Sequence, residues 1–366
     1  MAVRYVRVDP LVNLFAPAVR AFGNIAVLGH TTSQSATPGT AVAFTNPDDA
    51  KDALPGELGD AIALAFTQTP GPTLVYGVPV DGATADFEGP LETVAALNVQ
   101  LVVLANTPVT GATTAEDGPI RLLVDHVTSV SNTGSDGMER MGVAMLAKGE
   151  TDPAVILASD RMVYIAHNSD EDAAAAVAGT IAGYQPSVSL LLKPVNITSA
   201  PFKPADIEKL NGSEDSTTGP NGKGVNWLTT PALIPGNGVY LGEGYTGDPG
   251  HGKKYIDVVR FTDDVSFRLK AQLISSIGNV RITRSGLRAL IAQMEAVLTP
   301  LVDADVLNGF ELVIPVLTLL DKDPATRTAA EQRRIHDAEV ARLVQVLAAV
   351  EYAGAVHRIS ITLKFD

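Results

Sequence analysis

The final residues of the chain alternate between apolar and polar side chains up to the last position. Four apolar residues, Ile359, Ile361, Leu363 and Phe365, occupy every second position, and the residues between them are polar. This period of two is typical of a strand that buries one face. Because chain ends fray unless they are tied down, this strand requires a sheet edge, either in its own domain or on another copy of the protein. The second possibility would make the chain an assembly protein.

A second extended segment is predicted at the other end of the chain. Residues 1–20 alternate loosely through Val3, Arg4, Tyr5 and Val6, and two later prolines prevent one helix from spanning the segment. We interpret this segment as an extended arm.

Short apolar runs alternate with helical spacing through the first half of the chain. Strands are predicted at 24–29, 73–78, 99–104, 154–159 and 162–166. Helices are predicted from residue 47 and at 58–66, 92–97, 170–181 and 204–210. This order favours an α/β layer with a mixed sheet and at least some parallel pairing.

The last third of the chain is predicted to be α+β. Its elements are a strand at 256–261, a helix opened by Asp263, a helix capped by Ser285, a strand at 310–319, a helix at 329–350 and the terminal strand. The chain therefore divides into an N-terminal arm at 1–20, an α/β domain at 21–252, an α+β domain at 253–354 and a C-terminal strand arm at 355–366.

The net charge of −14 is concentrated in the first 255 residues. They contain 14 basic and 27 acidic residues, whereas the chain from Ile256 onward contains 13 and 14. An acidic surface repels phosphate backbones and anionic membranes, so we predict no nucleic-acid partner. Solubility alone is the alternative cause of this distribution. The apolar runs are too short to span a bilayer and the N-terminus lacks a signal-peptide pattern, which predicts cytoplasmic synthesis without membrane insertion.

Few residues have the spacing of a chemical site. The chain has no cysteine, which excludes disulfides, thiolate metal sites and a cysteine nucleophile. Neither a P-loop nor a nucleophile elbow occurs. The six histidines are His30, His126, His167, His251, His336 and His357. No two of them have the spacing of a metal-binding pair on one helix, although the sequence does not exclude a metal site formed by residues that are distant along the chain. We assign no catalytic, cofactor-binding or metal-binding residue, and no cofactor.

Two patterns have both a functional and a structural interpretation. Residues 242–247 match GxGxxG, but the following residues predict a loop and a strand in place of the helix that a dinucleotide site requires. We interpret them as a glycine-rich turn. Residues 159–161 together with Asp263 and Asp264 could supply an acid/base pair. We prefer a strand-end turn and a helix N-terminus.

Three arginines, Arg281, Arg284 and Arg288, cluster around a predicted helix start. Positive charge there opposes the helix dipole and costs a few tenths of a kcal/mol. The cluster therefore indicates either an acidic partner outside the subunit or a solvated face with carboxylate partners nearby.

Several short segments, in their order along nearly the whole chain, resemble the tail sheath proteins of contractile bacteriophage tails and contractile injection systems. They are the opening 22–29, the Ala-Gly helix at 175–179 with the turn at 193–196, the helix at 206–210 with the G-x-N segment at 224–227, and the glycine-rich turn at 241–246 with the arginine-ended segment at 255–260. The chain is short for this family and lacks room for large outer insertions.

The resemblance implies a structural and mechanical function without enzyme activity. It implies hexameric rings stacked helically around an inner tube protein, with baseplate and tail terminator proteins at the ends, in a virion tail or a contractile injection particle. It places domain 21–252 outside and domain 253–354 inside, where the three arginines would face the tube. It also implies that both arms add strands to neighbouring subunits and that contraction drives the tube through a target envelope, as in viral genome ejection.

Two other interpretations remain at this point. A self-assembling shell or tube protein that does not contract would have the same arms. An α/β enzyme acting on a small molecule would need a cluster of polar residues that the sequence does not reveal.

Overall fold

The computed structural model describes residues 21–82, 86–132, 137–212, 220–236, 238–250 and 253–357. The chain forms two compact units. One comprises residues 21–264 together with 355–357, and we call it the α/β unit. The other comprises residues 265–354, and we call it the C-terminal unit. From the sequence we placed the boundary between the α/β and α+β domains at residues 252 and 253. The two units divide inside a helix, between Asp264 and Val265.

The α/β unit is organised around a nine-stranded mixed sheet. Its strands are β1 (Ile25–Gly29), β2 (Val42–Phe44), β3 (Val75–Pro79), β4 (Leu101–Val109), β5 (Met141–Leu146), β6 (Met162–Ala166), β7 (Pro194–Val195), β8 (Val225–Thr229) and β9 (Val239–Leu241). The spatial order is β2-β3-β1-β4-β5-β6-β8-β9-β7. The six central strands are parallel, and β2, β9 and β7 are antiparallel to their neighbours. The expected mixed α/β sheet is therefore present.

Helices cover both faces of this sheet. They are α1 (Pro47–Ala53), α2 (Glu57–Phe66), α3 (Glu88–Ala95), α4 (Pro119–Asn132), α5 (Ala173–Gly183) and α6 (Pro204–Asn211). Helices α1, α2 and α5 pack with Ile25 and Val27 of β1, while α3, α4 and α6 pack with Ala26 and Leu28. Because both faces are covered, the central strands are continuous apolar runs, which is typical of parallel sheets.

Helix α5 is the most deeply buried helix of the α/β unit, since its first ten residues are all buried. Its N-cap Asp172 accepts the backbone N–H of Ala175 at 2.9 Å and that of Asn106 at 2.8 Å. Burial raises the pKa of the Asp172 carboxyl, and these N–H groups oppose that rise. The cap therefore ties the start of α5 to β4.

Asn226 connects three parts of the α/β unit from a fully buried position on β8. Its amide nitrogen donates to the carbonyl of Tyr164 on β6 at 3.2 Å and to that of Tyr245 at 2.9 Å. Its amide oxygen accepts the N–H of Tyr245 at 2.7 Å. The asparagine of the G-x-N segment thus holds the glycine-rich turn against the sheet.

The segment predicted as a strand at 256–261 is instead the start of helix α7 (Ile256–Leu273). The prediction was wrong because a short run of β-branched residues does not distinguish a strand from a buried helix. Ile256 and Val259 lie three positions apart and both pack into the core of the α/β unit. The prediction that a helix begins at Asp263 was therefore seven residues late.

The C-terminal unit comprises the rest of α7, α8 (Arg284–Asp303), β10 (Leu307–Val313), α9 (Pro315–Asp321), α10 (Ala329–Ala341) and β11 (Leu347–Tyr352). Leu287, Ile314 and Leu317 are the buried centre of one of its cores. Strands β10 and β11 form a separate antiparallel two-stranded sheet.

Three predictions for the C-terminal unit were wrong at their boundaries. Thr283, and not Ser285, caps α8, and its hydroxyl accepts the N–H of Gly286 at 3.2 Å. The strand predicted at 310–319 ends at Val313, because Pro315 starts α9. The helix predicted at 329–350 ends at Ala341, where Arg342 has a left-handed φ of 52°. The remaining residues form β11 and the turn before it.

Another predicted strand, at 154–159, is also wrong. Pro153–Val155 forms one turn of 3₁₀ helix, capped by Asp152, whose carboxylate accepts the N–H of Ala154 at 2.9 Å. Residues 156–159 form no regular element. No helix in the described part of the chain is long and apolar enough to cross a membrane.

Arg140 is 1% exposed and cross-links α3 to the sheet. Its guanidinium donates to the carbonyls of Val94 at 2.7 Å and Leu97 at 3.1 Å, close to the end of α3. It also lies 3.4 Å from Nε2 of His126 on α4. Burial and the charge of Arg140 lower the pKa of His126 from 6.5 to about 4.

We expect this histidine to make the protein acid-sensitive. The unfolded chain binds a proton at His126 near pH 6.5 and the folded chain only near pH 4, so stability falls as pH decreases between these values. The loss at pH 5 is about 2 kcal/mol. Urea unfolding near pH 7 and pH 5 should show a smaller pH effect for His126→Gln than for the parent. Equal pH effects in the parent and His126→Gln would contradict the assignment.

Candidate intersubunit interface

The two-stranded sheet of the C-terminal unit is a candidate surface for strand addition. Leu312 pairs with Ala348 and Phe310 with Val350, and the register shifts between Leu307 and Gly309. Within the described residues, no third strand pairs with either member. The sheet packs against α8 through β10, and an additional strand on a free edge would add main-chain hydrogen bonds to it.

The side chains of β11 are unusually exposed for such an apolar strand. Leu347 is 52% exposed and Val350 36%. Soluble proteins usually protect an edge of this kind with charges, proline or a bulge. Glu351 is the single charged residue of β11. The apolar character therefore favours a partner strand.

The residues predicted to supply that strand lie outside the described residues. They are Val3, Arg4, Tyr5 and Val6 of the N-terminal arm and Ile359, Ile361, Leu363 and Phe365 of the C-terminal arm. The structure does describe Ala21, the first residue after the N-terminal arm, and the start of the C-terminal arm up to His357, and both lie in the α/β unit.

The start of the described chain is held closely against the end of α5. A Cβ atom on Gly23 would overlap the carbonyl oxygen of Ala182, so only glycine permits this approach. Arg260 of α7 donates from Nη2 to the carbonyls of Tyr184 at 2.8 Å and Phe22 at 3.3 Å. These contacts fix the position from which the N-terminal arm continues.

Arg260 is buried but remains charged near neutral pH. Burial lowers the pKa of its guanidinium to about 10, and the nearby carboxylates of Asp264, Asp257 and Asp263 oppose that shift. Sequence reasoning did not identify Arg260 as an anchor. The available signal was an arginine within the mostly apolar segment 256–261.

The two acidic segments considered for acid/base chemistry lie together in the α/β unit. The guanidinium of Arg161 makes a bidentate pair with the Asp263 carboxylate, in which Nη2 lies 3.0 Å from Oδ1. Both side chains are 11% exposed. The guanidinium engages both carboxylate oxygens, so this geometry fits a structural ion pair better than a proton-transfer site.

The arginine cluster has a carboxylate partner within the subunit, which was one of the two alternatives that the sequence did not decide. Arg288 lies 3.0 Å from Asp321, and Arg284 lies 3.7 Å from the same carboxylate. Arg284 also donates to the carbonyl of Lys322 at 3.1 Å. Arg281 is exposed, and no ion pair to it is seen among the described residues. Of the three arginines, only Arg281 therefore lacks an ion pair among the described residues.

The glycines of the GxGxxG segment provide space for aromatic side chains. A Cβ atom on Gly242 would overlap the indole of Trp227, and one on Gly247 would lie 2.7 Å from the ring of Tyr164. The argument that no helix follows was wrong, since α7 begins at Ile256. Gly242 and Gly247 nevertheless face aromatic rings in the α/β unit, and Gly244 borders Leu190, which fits a packed turn.

The histidines that the structure describes do not form a recognisable metal centre. Across the described ranges, no group of three or more histidine, aspartate or glutamate side chains is arranged to hold a metal ion. His167 accepts the N–H of Ser169 at Nδ1, so Nε2 donates to the carbonyl of Leu146 at 3.0 Å. Burial lowers the pKa of His167, which keeps this imidazole neutral.

Comparison with solved structures places this fold among contractile sheaths. The helical sheath of the anti-feeding prophage (AFP) in its contracted state is similar at a TM-score of 0.68 and 15% identity, with 100% of this chain and 99% of that chain covered. The contracted sheath complex of PVC, an extracellular contractile injection system, gives 0.68 and 14%, with 100% and 98% covered. The sheath tail protein of Desulfitobacterium hafniense gives 0.56 and 11%, with 86% and 93% covered.

The chain therefore has the fold of contractile tail sheath proteins, which confirms the structural expectation from the sequence resemblance. No protein-family model matches the sequence, and a search of curated proteins found no match. At identities of 11 to 15%, these similarities establish the fold, and the assembly and its partners are argued separately below.

Proposed function

We propose that this protein is the subunit of a contractile tail sheath, located in a phage tail or a contractile injection particle. The observation that carries the proposal is the similarity over 100% of the chain to the AFP and PVC sheaths. A match over both units supports the function better than a match to the α/β unit alone would, because α/β sheets host many unrelated functions.

The proposed assembly is a helical stack of hexameric rings around an inner tube protein, bounded by baseplate and tail terminator proteins. Its joints are strands of the two arms added to the β10–β11 sheet of neighbouring subunits. Strand addition relies on main-chain hydrogen bonds, so it suits a joint that must survive large rotations. The exposed apolar side chains of β11 support this proposal.

Contraction in this proposal requires no nucleotide. The extended sheath would be metastable, with energy stored during assembly and released as subunits rotate into a more stable packing. The function is mechanical, and we assign no catalytic residue, cofactor or metal to it.

Negative-stain microscopy of the purified protein tests the proposal directly. We expect long hollow tubes with helical striations. Discrete small particles whose melting temperature rises with a small molecule would instead support an α/β enzyme and would overturn the sheath assignment. Tubes that keep one length and diameter in the complete particle under contraction conditions would favour a non-contractile shell.

The arginine cluster gives a separate prediction about the inner tube. Replacing Arg281, Arg284 and Arg288 together with glutamate should weaken assembly around the tube, but two of these residues also pair with Asp321. We therefore expect the single change Arg281→Glu to reduce co-sedimentation of sheath with tube while leaving the subunit folded. Arg334→Glu, on the exposed face of α10, is the matched control. Unchanged co-sedimentation of Arg281→Glu would count against a tube contact.

A further inference from the structure

The last described residue, His357, occupies a site on the α/β unit that the proposed function does not require. Its Nε2 lies 2.8 Å from the hydroxyl of Ser189, and its Nδ1 lies 3.6 Å from the carboxylate of Glu243. Its ring meets the ring of Tyr255 edge-on at a centroid distance of 4.5 Å. The side chain is only 11% exposed, although it belongs to a terminal segment.

Ser189, Glu243 and Tyr255 surround His357, and contacts with other residues hold each of them in place. Ser189 accepts the backbone N–H of Leu191 at 3.3 Å, which orients its hydroxyl. Glu243 is 2% exposed and belongs to the glycine-rich turn, which Asn226 fixes to the sheet through Tyr245. Their positions are therefore set by the fold.

The aromatic side of the site is equally well held. The ring of Tyr255 stacks on that of Tyr245 at 5.7 Å, and Tyr245 is fully buried and donates its hydroxyl to Asn211 at 3.0 Å. The ammonium of Lys254 lies 5.4 Å from the centre of the Tyr255 ring. The imidazole thus enters a preformed site with a hydroxyl, a carboxylate and an aromatic wall.

The order serine, imidazole, carboxylate also occurs in hydrolases, but this geometry is better explained as an attachment. The 3.6 Å separation of His357 Nδ1 and Glu243 exceeds the length of the hydrogen bond that orients a catalytic histidine. The neighbouring residue Val356 is 76% exposed, so His357 is the point at which an exposed segment is held.

We propose that Ser189, Glu243 and Tyr255 form a receptor for His357, which attaches the C-terminal segment of the same chain to the α/β unit. The segment after residue 357 then starts from a fixed point on this unit. Because the start of the C-terminal arm is already fixed at His357, the arm would lose less conformational entropy when it binds a neighbouring subunit. The attachment exists in the isolated subunit and does not depend on sheath assembly.

A single spin label tests this proposal cleanly, because the chain has no cysteine. Val356→Cys places the label next to the attached histidine at an exposed position. In the isolated subunit we expect restricted label motion, and several-fold faster motion after His357→Ala is added. Ser189→Ala and Glu243→Gln should each give a partial increase.

His336→Ala, at an exposed position of the C-terminal unit, is the matched control and should leave the label unchanged. Circular dichroism establishes that every variant is folded. A label that moves freely in the parent, or moves equally in the parent and His357→Ala, would overturn the receptor. Because the readout uses isolated subunits, failure of tube assembly would not affect this result.

Discussion

Deletion of residues 359–366 is expected to leave a folded subunit that no longer forms tubes. All the described strands of the nine-stranded sheet and of the β10–β11 sheet lie outside these residues, so the deletion leaves each of those strands in place. In the proposed assembly it removes the strand that links one subunit to the next. We expect tube formation to be lost completely, while circular dichroism and the melting temperature stay near those of the parent.

Substitution on one face separates the role of the strand from a simple effect of chain length. Replacing Ile359, Ile361, Leu363 and Phe365 with serine should also abolish tubes, because a strand with no apolar face cannot bury one against a neighbour. Replacing Ser360 and Thr362 with alanine is the control and should preserve them. Normal tubes from the deletion would contradict the strand-addition joint while leaving the sheath fold intact.

Asp263→Ala is expected to destabilise the α/β unit by about 3 to 5 kcal/mol, because it leaves the buried guanidinium of Arg161 without its bidentate partner. Urea unfolding near neutral pH, followed by tryptophan fluorescence, measures the loss. The only tryptophan, Trp227, lies on β8 in the same unit. The signal therefore reports the unit that contains the pair.

Two further variants identify burial as the cause of this loss. Asp160→Ala removes an exposed partner of Lys253, at a nitrogen to oxygen distance of 3.2 Å, and should cost about 0 to 1 kcal/mol. The double change Arg161→Met with Asp263→Leu should recover much of the stability, since it removes both charges together. A loss for Asp263→Ala no larger than that for Asp160→Ala would show that the pair contributes little.

The strands of the central sheet could be predicted because burial on two faces leaves a direct pattern in the sequence. Ile25–Gly29 and Met162–Ala166 are uninterrupted apolar runs bounded by polar or turn residues. Helix α5 could be predicted from its alanine-rich run after acidic residues. These elements are determined locally, by spacing and by capping.

Elements near the unit boundary were harder to predict because local patterns there are ambiguous. Residues 256–261 have the composition of a strand, yet helix α7 places Ile256 and Val259 in the core and turns Arg260 toward Phe22. Helix α10 ends where Arg342 adopts a left-handed backbone conformation. Glycine is the usual residue in this conformation, so an arginine there does not signal the end of a helix.

The sequence by itself determined the α/β class, the acidic first part, the absence of cysteine chemistry and the strand pattern of the last residues. Only the tertiary structure decided which distant residues meet. Arg161 and Asp263 are 102 positions apart, and Ser189 and His357 are 168 apart. Spacing along a chain reports the local period of helices and strands, whereas such pairs depend on sheet order and helix packing. The alternation of apolar and polar residues thus predicts the terminal strand, whereas the proposed attachment site of His357 follows only from the tertiary structure.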